Sequence, residues 1–487
     1  MATGDLKQKT ISGMIWSGLG RIGTVGISFI SNMVLAHLLI PDDFGCIGML
    51  YIFLAISGVF VNSGLGQALI QKKDPTHIDY TTVFYWNLSM SVLFYLILFF
   101  SAPAIADYFN IPLLKTLLRV QSVVLLIQPF STIQATQLQK QLRFKELSIR
   151  NVVAALMGMI VAIIMAILGY GVWSLVASAL VSAFVSVLLL WKMSTWRPTW
   201  EFSFQSLKVL FSFGGLMLVS SLVETIYTHL QNLIIGKLYS AKDLGYYTQA
   251  KKLDEVPANS LSAVVNEVSF PVFAELQDDK EKLVAGVRKN VKAITYINIP
   301  MMVLLMIIAA PLIRLLYGPQ WETSVPYFQI LCVSSMIYTL NTLNTNVIKS
   351  LGRSGIYLAV QLIKRLIGIG LIFWSIRYGI YGLLWSVTSV GYICFIINAI
   401  VNGRLINYGL FKQIKDIGLC YLTAAAIGAG VYYIGTLIPL HQYLVMAIQV
   451  VLFVALFWLC SILFKMEGYK TYKEIISNKI KDWKKRN

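Results

Sequence analysis

Five basic residues stand where an apolar chain has little ordinary use for charge: Arg21, Lys251, Lys252, Lys364 and Arg365 each interrupt a long hydrophobic stretch. An unpaired cation at the centre of a bilayer costs at least about 2.5 kcal/mol, so such a side chain faces a wet cavity or a partner. Several together suit an anionic guest, whose loss of hydration they offset. Four acids, Glu224, Asp254, Glu255 and Glu267, interrupt similar stretches. They admit two readings: carboxylates that couple transport to an ion, or plain partners for the cations. A third reading, snorkelling of the long basic side chains to an interface, suits Arg119 best, since it lies only a turn or so from a predicted outer surface.

Other chemistry finds little support. The four histidines, His37, His77, His229 and His441, and the five cysteines, Cys46, Cys332, Cys394, Cys420 and Cys460, lack metal-binding or redox spacing. No metal and no cofactor is expected. His229 follows Glu224 closely enough for a proton relay, although a packing role fits it better. Gly18-Leu19-Gly20-Arg21-Ile22-Gly23 matches the dinucleotide pattern GxGxxG, but that pattern requires a preceding strand and the start of a helix. Here it falls inside a membrane segment, where Gly13, Ser17 and Gly20, and separately Gly18, Ile22 and Gly26, read as small-residue packing ridges. No GxxxxGK[ST] sequence is present, so direct ATP-driven transport by this chain alone is not supported.

The elements that must carry these residues are membrane helices. Of 487 residues 57% are hydrophobic and 13% charged, more apolar than a soluble core can hide. Crossing about 30 Å of hydrocarbon takes roughly 20 residues of helix, which alone satisfies its own backbone there. Fourteen stretches qualify: 11–39, 44–69, 80–102, 115–138, 149–168, 171–192, 208–236, 244–274, 292–317, 323–348, 355–377, 379–402, 414–438 and 442–464. The first is too long for the apolar core of a signal peptide. The eighth is interrupted by Lys251, Lys252, Asp254, Glu255 and Pro257, yet removing it breaks the charge alternation. Arg21, ten residues past Ile11, then lies about 15 Å into the first helix. Lys364 and Arg365 sit at comparable depth in the eleventh but point about 100° apart, so one of them faces any common site.

Lys and Arg gather in alternate connections, from Lys7 and Lys9 through Lys72, Lys73, Lys140, Arg143, Arg197, Arg288, Lys292, Arg353 and Arg404 to eight basic residues after Phe464. The intervening connections hold only Lys115, Lys237, Lys242, Arg314 and Arg377. The positive-inside rule therefore puts both termini in the cytoplasm. It also accounts for the net charge of +18 without nucleic acid, for which no recognition motif is present. The basic tail reads as a topology anchor, or as a helix lying on the lipid surface.

An internal repeat organises the helices. Leu35-Ala36-His37-Leu38-Leu39-Ile40-Pro41-Asp42-Asp43-Phe44-Gly45 returns 200 residues later as Ile235-Gly236-Lys237-Leu238-Tyr239-Ser240-Ala241-Lys242-Asp243-Leu244-Gly245. Tyr170-Gly171-Val172-Trp173 is echoed by Tyr378-Gly379-Ile380-Tyr381. Six helices per repeat preserve orientation, which predicts two parallel six-helix lobes, 1–200 and 201–405, around a central cavity. Two additional helices, 406–464, and a basic cytoplasmic tail, 465–487, complete the chain.

Trp16-Ser17-Gly18, Leu38-Leu39-Ile40-Pro41-Asp42-Asp43-Phe44-Gly45, Gly64-Leu65-Gly66-Gln67-Ala68-Leu69-Ile70-Gln71-Lys72-Lys73, and Gly245-Tyr246-Tyr247 with Pro257 and Phe270-Pro271 together resemble the polysaccharide transporter family. Its members include Wzx-type flippases of lipid-linked oligosaccharides. The resemblance implies the fold of the multidrug/oligosaccharidyl-lipid/polysaccharide exporter superfamily. It also implies movement of undecaprenyl-diphosphate-linked sugars from the cytoplasmic to the outer leaflet of a bacterial plasma membrane. Arg21, Lys252 and Lys364, with Lys251 and Arg365 as alternates, would then meet the diphosphate, and Asn, Gln, Tyr and Trp side chains the sugar. The partners it implies are the lipid-linked substrate, membrane lipids, and the polymerase and export machinery of a polysaccharide pathway.

Two other functions compete. A cation-coupled multidrug exporter of the same superfamily would place carboxylates in the first-lobe cavity, whereas the first helix carries Arg21 and no acid after Asp5. A membrane enzyme of glycan polymerisation would need an acid, base or nucleophile on loops large enough to enclose an acceptor. Connections such as 169–171 and 439–442 are too short for that. A transporter, not an enzyme, is expected.

Overall fold

The computed structural model describes residues 3–474 and 477, among which every regular element is helical. Lys479, Lys481, Lys484, Lys485 and Arg486, the bulk of the predicted tail anchor, lie outside the described residues. The chain forms two compact units, Met1–Gly245 and Tyr246–Asn487.

The first unit holds α1 (Thr3–Leu38), α2 (Pro41–Asn62), α3 (Leu65–Gln71), α4 (His77–Phe109), α5 (Leu113–Gln121), α6 (Val123–Ile127), α7 (Pro129–Lys140), α8 (Phe144–Ile167), α9 (Trp173–Met193) and α10 (Phe204–Leu238). It ends in the first turn of α11 (Ala241–Glu275). The rest of α11 opens the second unit, followed by α12 (Lys280–Ile307), α13 (Ala309–Tyr317), α14 (Ser324–Ser350), α15 (Ser354–Ser375), α16 (Gly379–Ile406), α17 (Leu410–Leu437) and α18 (Gln442–Leu463). Each of the fourteen stretches coincides with one helix or a broken run of short ones. Eleven segments among the described residues are long and apolar enough to cross a membrane, and one of these, 354–406, contains both α15 and α16. α11 and α14 fall outside that set, because charges in the first and a ladder of amides in the second lower their apolarity. The chain is an all-α, multi-pass membrane protein.

The outward surfaces fit lipid as solvent. Met14, Ile15 and Ile22 on α1, Leu366 on α15 and Val451 on α18 are exposed, an arrangement favourable only where hydrocarbon surrounds the helix. In the first unit α1 packs on α8 and α8 on α9, while α10 lies against α2, α3 and α4. One of the two glycine ridges predicted for α1 makes the α8 contact: a Cβ at Gly13 would press on Phe144 and one at Gly20 on Ser148, whose hydroxyl donates to the Trp16 carbonyl at 2.7 Å. The other ridge is not a packing surface, for Gly18 and Gly26 have open space where a Cβ would stand. GxGxxG accordingly sits inside the continuous helix α1.

The repeat is visible in backbone detail. α1 and α10 end at Leu38 and Leu238, and α2 and α11 begin at Pro41 and Ala241. Asp43 accepts from the Ile40 N–H at 3.2 Å, and Asp243 engages Ser240 at the equivalent place. These carboxylates occupy donor-rich helix starts. The two copies touch reciprocally: a Cβ on Gly45 would overlap the Ala241 carbonyl, and one on Gly245 would overlap that of Pro41. A second correspondence was hidden in the sequence. Leu142 and Gly352 both take left-handed φ, 58° and 66°, and Arg143 and Arg353 follow with φ/ψ of −85°/57° and −84°/59° before α8 and α15.

The second unit packs α12 against α14 and α17, and α16 against α14 and α15. Its interior is unusually rich in amides. Asn344, Asn402 and Gln413 are buried and bonded to one another at 2.8–3.1 Å, joining α14, α16 and α17. Buried Asn298 donates to the Ser335 and Met336 carbonyls at 3.0 and 2.8 Å. Where hydrocarbon offers no other partner, such bonds fix helix register.

At one end of this unit Asp416 takes a bidentate guanidinium from Arg288 at 2.7 and 2.8 Å, the Lys292 ammonium at 3.0 Å and the Tyr408 hydroxyl at 2.9 Å. Lys292 also holds Glu467 at 2.5 Å, tying down the helical residues 467–474. Arg288 is half exposed and rehydrates when its partner is lost, whereas Lys292 is nearly buried. Asp416→Ala is therefore expected to destabilise by about 1–3 kcal/mol, below the full cost of breaking a buried pair. A lowered thermal midpoint of the detergent-solubilised protein would register it, and an unchanged midpoint would assign the cluster no structural weight.

Candidate functional site

A cavity of about 640 Å³ opens within the first unit. Breaks in two helical runs shape it. Ser63 and Gly64, both at positive φ, separate α2 from α3. Pro129, which has no N–H to donate back along the helix, separates α6 from α7. The Gln128 carbonyl at the start of α7 accepts from the Ser131 and Thr132 N–H groups at 3.0 and 3.2 Å and from their hydroxyls at 2.8 and 3.1 Å. Its walls carry Asn62 and Gln67 from the first break, and Gln121, Gln128 and Thr132 from the second, with Tyr51 and Ser221 beside them. No Asp, Glu, Lys or Arg among the described residues lines it.

Sequence reading missed these amides. The signal was present: six glutamines between Gln121 and Gln141, in a segment otherwise apolar enough to span the membrane.

The predicted cations are distributed over three helices. Arg21 stands on the part of α1 that α8 leaves uncovered; it is exposed and forms no hydrogen bond or ion pair among the described residues. In the second unit, Lys251 and Lys252 occupy adjacent positions on α11. The Lys251 ammonium lies 5.7 Å from the Tyr247 ring and 4.0 Å from Glu255. Lys364 on α15 is buried and donates to Asn398 at 3.2 Å, which in turn donates to Asn341 at 2.9 Å. Arg365 is half-buried at the next position.

Among the acids, Asp254 is buried and accepts from the Ser335 hydroxyl at 2.7 Å, while its second carboxylate oxygen is buried without a partner. Glu224, Glu255 and Glu267 are exposed. His229 packs 4.9 Å from the Tyr51 ring. Arg119 is held against α4, its guanidinium 4.2 Å above the Phe99 ring and its Nε donating to the Phe99 carbonyl. The five cysteines are free thiols, and no group of three or more metal-binding side chains occurs among the described residues.

A second cavity, about 900 Å³, lies in the second unit where Lys280, Lys289, Lys412 and Lys470 converge around Arg288 and Lys292. The last two are already committed to Asp416 and Glu467.

Residues 34–326 match the family model for polysaccharide biosynthesis proteins. The chain belongs to that family. Among curated proteins it is 27% identical to the lipopolysaccharide biosynthesis protein WzxC of Escherichia coli, over 68% of each chain. It is 26% identical to the succinoglycan biosynthesis transport protein ExoT of Rhizobium meliloti, over 80% of this chain and 81% of that one. Among solved structures, the lipid II flippase MurJ in an inward closed conformation shares the fold, with a TM-score of 0.74 over 93% of this chain and 99% of that one at 15% identity. An inward-facing multidrug transporter of the MATE family matches with a TM-score of 0.59, over 80% and 96% of the two chains at 16% identity. The two structural likenesses establish the fold, which this chain shares with a flippase and a multidrug transporter.

Proposed function

We propose that this protein carries an undecaprenyl-diphosphate-linked oligosaccharide, the repeat unit of a polysaccharide, from the inner to the outer leaflet of the bacterial plasma membrane. Both termini are cytoplasmic, and two six-helix lobes, 1–200 and 201–405, alternate access to the substrate. The observation that carries the reading is Arg21, an exposed guanidinium without a partner among the described residues, deep in the first membrane helix of a polysaccharide biosynthesis protein. A diphosphate crossing a region of low dielectric needs such a counter-charge.

Lys252 and Lys364 are the next phosphate ligands, with Lys251 and Arg365 as alternates. Lys364 must exchange its bond to Asn398 for one to substrate. Asp254, whose second oxygen is unsatisfied, leads Glu224, Glu255 and Glu267 as the group for ion coupling. The names of the curated relatives, a lipopolysaccharide biosynthesis protein and a succinoglycan transport protein, support delivery to a polysaccharide polymerase and export machinery. The absence of any carboxylate from the lining of the first-unit cavity argues against a cation-exchanging drug exporter.

A deletion strain tests the reading in cells. Without this protein, lipid-linked oligosaccharide is expected to accumulate in the cytoplasmic leaflet, inaccessible to a glycosidase added to spheroplasts, and plasmid-borne protein restores access. Unchanged access in the deletion strain would overturn it.

A further inference from the structure

We infer that the first-unit cavity binds the uncharged, polyhydroxylated part of the substrate, a neutral oligosaccharide segment, and so contributes to glycan selection; this rests on the flippase reading above. Its volume of about 640 Å³ falls within the roughly 300–1,000 Å³ typical of small-molecule sites. Its polar groups are of one kind. Asn62, Gln67, Gln121 and Gln128 each offer both donor and acceptor atoms, and Thr132 adds a hydroxyl, which together complement sugar hydroxyls in either sense. A phosphate or an ammonium entering the same space would lose its hydration without meeting an opposite charge.

A second observation points to a ligand. Gln121 is 7% exposed and its Oε1 is buried without a partner among the described residues, although the residue lines the cavity. Leaving a buried acceptor unmade costs about 1–3 kcal/mol, and a donor from a bound sugar hydroxyl would satisfy it. Tyr51 presents an aromatic ring at the same wall, a flat apolar surface suited to the C–H face of a pyranose. Gly58 opposes Gln128, its Cβ position 4.0 Å from Oε1, so the wall stays open between them.

The test uses the full chain in nanodiscs carrying Thr132→Cys, with mass spectrometry reading the rate at which a neutral thiol reagent labels position 132. Two probes are compared at millimolar concentration: the oligosaccharide released by mild acid from the host's own polyprenyl-diphosphate pool, and sugar-free polyprenyl diphosphate. Protection by the released oligosaccharide and none by the bare diphosphate is expected. Gln121→Leu should weaken that protection about five-fold, the equivalent of one hydrogen bond, while leaving the rate without sugar unchanged. Gln128→Leu serves as a second variant. Equal protection by the bare diphosphate would overturn the assignment, as would no protection by the released sugar in protein that still flips the intact lipid-linked form. Protection without flipping would instead refute the flippase reading and leave a sugar-binding cavity.

Discussion

Replacing Arg21 with alanine is expected to lower the flipping rate by about 100-fold or more while leaving expression and insertion intact. Truncating one partner of a desolvated charge pair costs about 2–5 kcal/mol, much of it the penalty of leaving the other charge unpaired. In the flippase reading the other charge belongs to the substrate, so the free protein has little to lose: Arg21 bridges no helices and neutralises no carboxylate among the described residues. Arg21→Lys separates two forms of recognition. Retained activity would mean that charge alone suffices, whereas loss with both substitutions would mean that the planar guanidinium grips phosphate in a bidentate manner. Normal flipping by Arg21→Ala would remove this residue from the site.

The largest structural effect is expected at Gly45 and Gly245. Each stands where the backbone of the other motif copy passes so closely that a Cβ would overlap a carbonyl oxygen. Neither obstacle is a flexible side-chain end, so relief requires the starts of α2 and α11 to separate. Gly45→Ala or Gly245→Ala is therefore expected to cost about 3 kcal/mol or more, at the upper end of overpacking penalties. The readout is the yield of monodisperse protein and its thermal midpoint. Gly18→Ala and Gly26→Ala provide the contrast, since open space faces both positions and alanine favours a helix by up to about 1 kcal/mol. A wild-type midpoint for Gly45→Ala would show that the two motif copies do not meet as described.

The same glycines show what a sequence makes legible. Recurrence of the Leu35–Gly45 pattern at 235–245 could be read because it preserves residue types. Its reciprocal contact could not, since no periodicity says which two backbones cross. Leu142 and Gly352 carry the same left-handed turn on unlike residues, so only φ reveals their kinship. The existence of the membrane segments was readable because hydrocarbon imposes length and apolarity on every helix, but their ends were less so: α12 begins at Lys280, before the predicted 292, and α4 runs to Phe109, past 102. The breaks at Ser63–Gly64 and before Pro129 were not readable, since a broken helix satisfies the same average.

The candidate site residues divide along similar lines. Arg21 was conspicuous because charge is costly in a bilayer, and it emerges exposed and without a partner among the described residues. Lys364 was equally conspicuous and is instead bonded to Asn398 in a buried amide chain. Gln121 and Gln128 escaped notice because neutral amides carry no such warning; their meaning comes from a cavity assembled from seven helices and the turns between them.

Reconstitution tests the central claim most directly. Purified protein in liposomes, loaded with a fluorescent undecaprenyl-diphosphate oligosaccharide, should make the label accessible to a quencher at the opposite leaflet at a rate proportional to protein content. The account predicts protein-dependent movement that Arg21→Ala stops. No movement with any glycan or ion gradient, together with uptake of an organic cation by the same vesicles, would contradict it and identify a drug antiporter.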